Sequence, residues 1–150
     1  MIRDYIQLTK PGILRSNLLA AFAGFWLASA WSVDLVLLAL TLLGTLLVMA
    51  SSCVFNNFLD RDLDIKMART KNRALPAGRL PAKHVLIYGG VLGALGLLVL
   101  LLGTNPLSAL LGAAGMFVYV VLYTMWLKRS STLSTVIGAF SGAMPPVIGY

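Results

Sequence analysis

Residues 35 to 59 read LVLLALTLLGTLLVMASSCVFNNFL, and DRDLD follows at once at 60 to 64. At 1.5 Å per residue such an uncharged run outreaches the roughly 30 Å of a bilayer's hydrocarbon, where a helix satisfies its own backbone. Residues 16 to 33, 84 to 127 and 130 to 150 are likewise free of Asp, Glu, Lys and Arg. The fold class is therefore all-α, a polytopic transmembrane helix bundle with about five spans. Composition agrees: 59% of the 150 residues are hydrophobic and 11% charged, against about 25% charged in an ordinary soluble domain. That excludes a soluble enzyme, a disordered chain and a conventional DNA-binding domain.

The first span begins near Pro11, whose fixed φ suits a first helical turn, and runs to about Ala30. Trp26 and Trp31 then sit near an interface. The second runs from about Val33 into the polar segment at Asn56. Gly103, Thr104, Asn105 and Pro106 supply turn chemistry inside the long run, giving a third span at about 84 to 102 and a fourth at about 106 to 127. A fifth starts near Thr132 and is kinked or broken by Pro145 and Pro146. The 12 Lys and Arg residues outnumber five acids. They precede or open the first span, lie between residues 61 and 83, or stand at Lys128 and Arg129, so these three segments face the cytoplasm together with the N-terminus, in the inner membrane of a bacterium. That topology accounts for the +7 charge without nucleic acid. Arg3, Lys10 and Arg15 before an apolar stretch ending Ala28-Ser29-Ala30 also mimic a secretory signal, but further spans follow directly.

Acids beside a spanning helix are candidates for function. Asp4 lies in the N-terminal arm, and Asp34 suits the start of a helix. Asp60 and Asp64 differ. If the second helix continues through them, Asn56, Asp60 and Asp64 stand at i, i+4 and i+8 and form one stripe, while Asp62 turns away. Two carboxylates and an amide oxygen are hard ligands, and Mg²⁺ takes one or two carboxylates while bridging to substrate phosphates. The following basic loop holds Arg69, Lys71 and Arg73, stiffened by Pro76 and loosened by Gly78, and offers donors for a diphosphate. The bland reading pairs these charges in a solvated loop, and an anionic lipid would satisfy the same bases. A cation transporter could use the acids too, although the positives would repel its ion. Cys53 reads as helix packing, and glycines such as Gly24 and Gly93 as points of close helix approach.

Asn56-x3-Asp60-x3-Asp64, followed by Arg69-Thr70-Lys71-Asn72-Arg73 and Pro76-Ala77-Gly78, resembles the first Asp-rich motif of the UbiA-type intramembrane prenyltransferases. The wording of this segment, with Leu8-Thr9-Lys10-Pro11-Gly12, the run from Tyr123 to Arg129 and Ser141-Gly142-Ala143-Met144-Pro145-Pro146, looks closest to the haem-farnesylating branch of that family. The resemblance implies a nine-helix bundle with two Asp-rich motifs facing each other at the cytoplasmic mouth. Residues 1–150 match its N-terminal half as part of a single transmembrane domain. The C-terminal half with the second motif would lie beyond Tyr150, so the fragment alone is expected to be inactive. The implied reaction transfers farnesyl from farnesyl diphosphate to the vinyl group of haem b, giving haem O. A quinone precursor or other aromatic compound is the alternative acceptor. The implied roles are Asn56, Asp60 and Asp64 as catalytic residues holding Mg²⁺, and Arg69, Lys71, Arg73, Lys128 and Tyr123 around the diphosphate. His84 is a weak candidate for haem ligation, and the resemblance leaves the porphyrin unplaced.

Overall fold

The computed structural model describes residues 1–130 and 132–150, apart from the Arg129 side chain, and the described residues form helices joined by turns. A short α1 (Ile2–Leu8) precedes α2 (Pro11–Ala28), α3 (Leu35–Asp64) and α4 (Ala82–Gly103). Next comes α5 (Pro106–Phe117), which runs without a break into a π-helical segment, Val118–Leu127, and one closing turn, α6 (Lys128–Ser130). The last two helices are α7 (Ser134–Gly142) and α8 (Met144–Gly149). Three rods, Leu35–Asp64, Ala82–Gly103 and Pro106–Leu127, are long and apolar enough to cross a membrane. The other two expected crossings correspond to α2, of 18 residues, and to the split pair α7 and α8.

Three of the boundaries have a clear local cause. Asp34 caps α3 by accepting from the Val36 and Leu37 amides at 2.9 and 3.0 Å, and Asn105 caps α5 by accepting from the Ser108 amide at 2.7 Å. Replacing Asp34 by Ala should therefore cost about 1 kcal/mol, read as a lower denaturation midpoint. The fifth helix breaks at Ala143, just before the prolines. Pro145 and Pro146 lack amide donors, so they are tolerated in the first turn of a new helix rather than inside an old one.

Two features were not expected from the sequence. Residues 2–8 form a helix of their own. The fourth span also changes from α- to π-helix at Val118, which re-aims every side chain after it.

The bundle is held chiefly by α3 against α4 and by α2 against α8. Small residues let these pairs approach: on α4, Gly96 faces the Val48 backbone and Gly93 faces the Ser51 side chain. Where α2 crosses α8, a β-carbon on Gly24 would fall 2.1 Å from the Pro146 carbonyl oxygen, and one on Gly149 would fall 1.9 Å from that of Ala21. Val48, Leu100 and Ile148 centre the core among the spans. A second cluster joins Leu8, Val54, Ala74, Leu75, Leu80 and Val85, so the arm and the loop after α3 are both packed onto the bundle. Phe22, Trp26 and Trp31 group at the end of α2 that points away from that loop, as an interfacial belt would.

Candidate functional site

The 30-residue α3 measures about 45 Å, about ten residues more than the hydrocarbon needs. Its last turns therefore lift Asn56, Asp60 and Asp64 to the membrane surface while they remain on one helical face. The helix does continue through the acids, and the three residues are only 2%, 4% and 5% exposed. Carboxylates so buried require partners. Asp60 Oδ2 accepts from Lys128 Nζ at 2.6 Å, and Asp64 Oδ2 accepts from Arg73 Nη1 at 2.9 Å. Asp62 points outward, 80% exposed beside Arg61 Nε at 3.7 Å.

Asn56 joins these pairs. Its Oδ1 accepts from Lys10 Nζ, while Nδ2 donates to Asp60 Oδ2 at 3.2 Å and to Thr124 Oγ1 at 3.1 Å. The Thr124 hydroxyl spends its own proton on the Tyr119 carbonyl, five residues back, at 2.8 Å. That leaves its lone pairs for Asn56. The π-helical turn thus aims Thr124 at the stripe and delivers Lys128 a turn later. The meeting of Lys10, Arg73 and Lys128 also puts the three basic segments at one end of the bundle, as the charge pattern predicts.

The loop that follows α3 is ordered by the same residues. Thr70 Oγ1 donates to the Asp64 carbonyl at 2.9 Å. Residues 73–77 make a helical turn, with the Ala77 amide donating to the Arg73 carbonyl at 2.9 Å. The turn ends in a Schellman motif: Gly78 stands at φ +71°, its amide donates to Leu75 at 3.0 Å, and the Arg79 amide donates to Ala74 at 2.9 Å. Gly78 therefore fixes the loop rather than loosening it, because a left-handed residue is what closes this turn.

The remaining expected residues lie apart from the hydrogen-bonded stripe. Arg69 and Lys71 are exposed on the loop surface. Tyr123 is half-buried, stacked on Tyr119 with ring centroids 5.5 Å apart and against Gly138. His84 is exposed in the first turn of α4. Lys10, Thr124 and Asn57 were not singled out from the sequence. The charge of Lys10 before Pro11 was a usable signal, whereas Thr124 and Asn57 are recognisable only from tertiary contacts.

Two cavities lie close to this stripe, lined by its neighbours rather than by Asn56, Asp60 or Asp64 themselves. One of about 250 Å³ lies within the bundle, lined mainly by apolar groups including Met49, Cys53, Gly112, Met116, Tyr119 and Ile148. Cys53 is one turn below Asn56 on the same face of α3. The other, about 340 Å³, lies at the mouth between Asp4, Gln7, Lys10, Asn57 and Arg73. Ile13 borders both. Burial pushes the Lys10 ammonium below its ordinary pKa, and the Arg73 and Lys128 charges act in the same direction. Asp60 Oδ1 is buried with no hydrogen-bond partner among the described residues. An orphaned carboxylate oxygen in a polar cluster is costly, and it suits a divalent ion that also takes Asp64 and the Asn56 amide oxygen. The arrangement can hold an anion through fixed cations and a metal, with its apolar remainder in the bundle.

The chain is 51% identical over its whole length to the protoheme IX farnesyltransferases of Cronobacter sakazakii and Salmonella arizonae, covering 51% of each, and 50% identical to that of Escherichia coli strain HS. It thus spans about half the length of the curated relatives it matches. A solved structure described as digeranylgeranylglyceryl phosphate synthase in membranes superposes with a TM-score of 0.90 over 99% of this chain and 52% of that one. At 18% identity that likeness shows the fold. Residues 17–150 match the UbiA prenyltransferase family, and with the apolar spans already described the chain is an integral membrane protein and belongs to the UbiA prenyltransferase family.

Proposed function

We propose that residues 1–150 form the N-terminal half of an intramembrane farnesyltransferase, which transfers farnesyl from farnesyl diphosphate to a vinyl group of haem b in the cytoplasmic membrane of a bacterium. The observation that carries this reading is the buried Asn56–Asp60–Asp64 stripe, bonded to Lys10, Arg73 and Lys128 and one turn along α3 from Cys53, which lines an apolar cavity. Such a site suits an amphiphile with a polyanionic head. The farnesyl donor and haem acceptor come from the names of the relatives.

Loss of diphosphate from an allylic carbon builds negative charge on the phosphate oxygens and positive charge on the chain. Mg²⁺ held by Asp60 and Asp64, with the Asn56 amide oxygen assisting, would supply Lewis-acid stabilisation of the leaving group. Arg73 and Lys128, already placed at the stripe, donate to the same oxygens as the bond lengthens. Arg69 and Lys71 attract the anion to the mouth from the loop surface. The apolar cavity holds the chain where water that would quench the cation is scarce. Tyr119, on which Tyr123 stacks, lines that cavity, so Tyr123 would act on the bound donor by holding Tyr119 in place. The family's second acidic motif is assigned to the C-terminal half of the full-length protein, and residues 1–150 alone are expected not to turn over.

The test is farnesyl transfer from radiolabelled farnesyl diphosphate by the purified full-length protein, with haem b and with 4-hydroxybenzoate as acceptors, with and without Mg²⁺. Product from haem b that requires Mg²⁺ is expected. Product from 4-hydroxybenzoate only would replace the acceptor with a quinone precursor, and turnover unchanged by chelation would overturn the metal's role.

A further inference from the structure

Among the described residues, two carboxylates and three cations converge on the stripe, and the charges do not match one to one. Asp60 is met by Lys128 and Asp64 by Arg73, but Lys10 is hydrogen-bonded to Asn56, a neutral amide. Its ammonium is a surplus positive charge at the mouth. Lys10 also holds a left-handed backbone, φ +53° and ψ +67°, directly before Pro11. For a residue with a β-carbon that conformation is strained, and it persists only where the surroundings enforce it. Here they do. Asp4 receives Arg79 at 3.2 Å, Tyr5 packs edge-on to Tyr88 at 5.1 Å, and Asn57 Nδ2 donates to the Leu8 carbonyl at 2.8 Å. The arm is thus fastened to the loop, to α4 and to α3 within six residues of Lys10. Lys10 lines the mouth cavity with Arg73, and Ile13, one turn on, borders both cavities. Its ammonium therefore stands where an anionic head would join an apolar tail.

We infer that Lys10 is a further diphosphate-binding residue, carried into the site by the N-terminal arm. The assignment rests on the function proposed above. A charge-assisted bond to a buried anion is strong, and its loss is felt as about 10- to 100-fold in affinity.

The experiment measures dissociation constants of the full-length protein in detergent with Mg²⁺, using the unreactive farnesyl S-thiolodiphosphate and, separately, farnesol. Lys10→Gln is expected to weaken the diphosphate analogue by about 10- to 100-fold and farnesol by less than about twofold, with Lys10→Arg restoring most of the loss. Analogue binding unchanged in Lys10→Gln, or equal weakening of both ligands, would overturn the assignment, the second outcome marking a purely structural lysine. Asp60→Asn is measured alongside. If it weakens the analogue and Lys10→Gln does not, the Lys10 assignment alone fails; if neither does, the prenyltransferase reading fails with it. Should Lys10→Gln not purify as a folded protein, Lys10→Met is read by the same two ligands.

Discussion

Replacing Asp60 or Asp64 by Asn in the full-length protein is expected to lower kcat/KM for farnesyl transfer by about 100- to 1000-fold, the range lost when a preorganised electrostatic group is removed from a developing charge. The substitution conserves shape. An amide oxygen at position 60 still accepts from Asn56 Nδ2, and Lys128, 39% exposed, can return its ammonium to water instead of being stranded. What disappears is the negative charge that would hold a divalent ion beside the diphosphate. Asp62→Asn is the control within the same pentapeptide: at 80% exposure it should change kcat/KM by less than about threefold. Equal losses at all three positions would mean that net charge near the surface matters and that the helical face does not.

Alanine at Gly149 or Gly24 is expected to cost about 3 kcal/mol or more, read as a large fall in thermal stability and in the yield of folded full-length protein. The added carbon would meet a backbone carbonyl oxygen in each case, at 1.9 and 2.1 Å. A flexible side chain can swing aside, but a carbonyl moves only with its helix. The two sites lie on opposite sides of one crossing, so neither α2 nor α8 can retreat without losing the packing around Ile148. Gly90 is the comparison: nothing lies within 4 Å of its would-be β-carbon. Alanine there should be neutral or stabilising by up to about 1 kcal/mol, through helix propensity. A stable Gly149→Ala protein would show that the two helices are not in backbone contact.

Much of this architecture was legible in the residues because a bilayer punishes charge and unpaired backbone so heavily. The uncharged runs located the spans, and Asp34 and Asn105 located two of their starts. The four-residue spacing from Asn56 to Asp60 to Asp64 was enough to predict a shared face and the outward turn of Asp62, since both follow from 3.6 residues per turn once the helix continues. Arg73 and Lys128 are found at the stripe, as the basic segments suggested, while Arg69 and Lys71 remain on the loop surface. Position along a loop does not say which side chain folds inward. The π-helical segment was hidden for a related reason: VYVVLYTMWL has no residue that demands wider turns. Its register is set by the contacts of Thr124 with Tyr119 and Asn56. Lys10 was read as a charge that orients the chain in the membrane, which left unseen that the arm folds back and turns this lysine into the site.

The most direct test of the account is equilibrium binding of farnesyl S-thiolodiphosphate to the full-length protein across a Mg²⁺ titration, in the wild type and in Asp60→Asn,Asp64→Asn. Affinity in the wild type should rise at least about tenfold as Mg²⁺ is added, and that rise should vanish in the double variant. Tight binding that ignores both Mg²⁺ and the loss of the two carboxylates would contradict the claim that this stripe holds the diphosphate through a divalent ion.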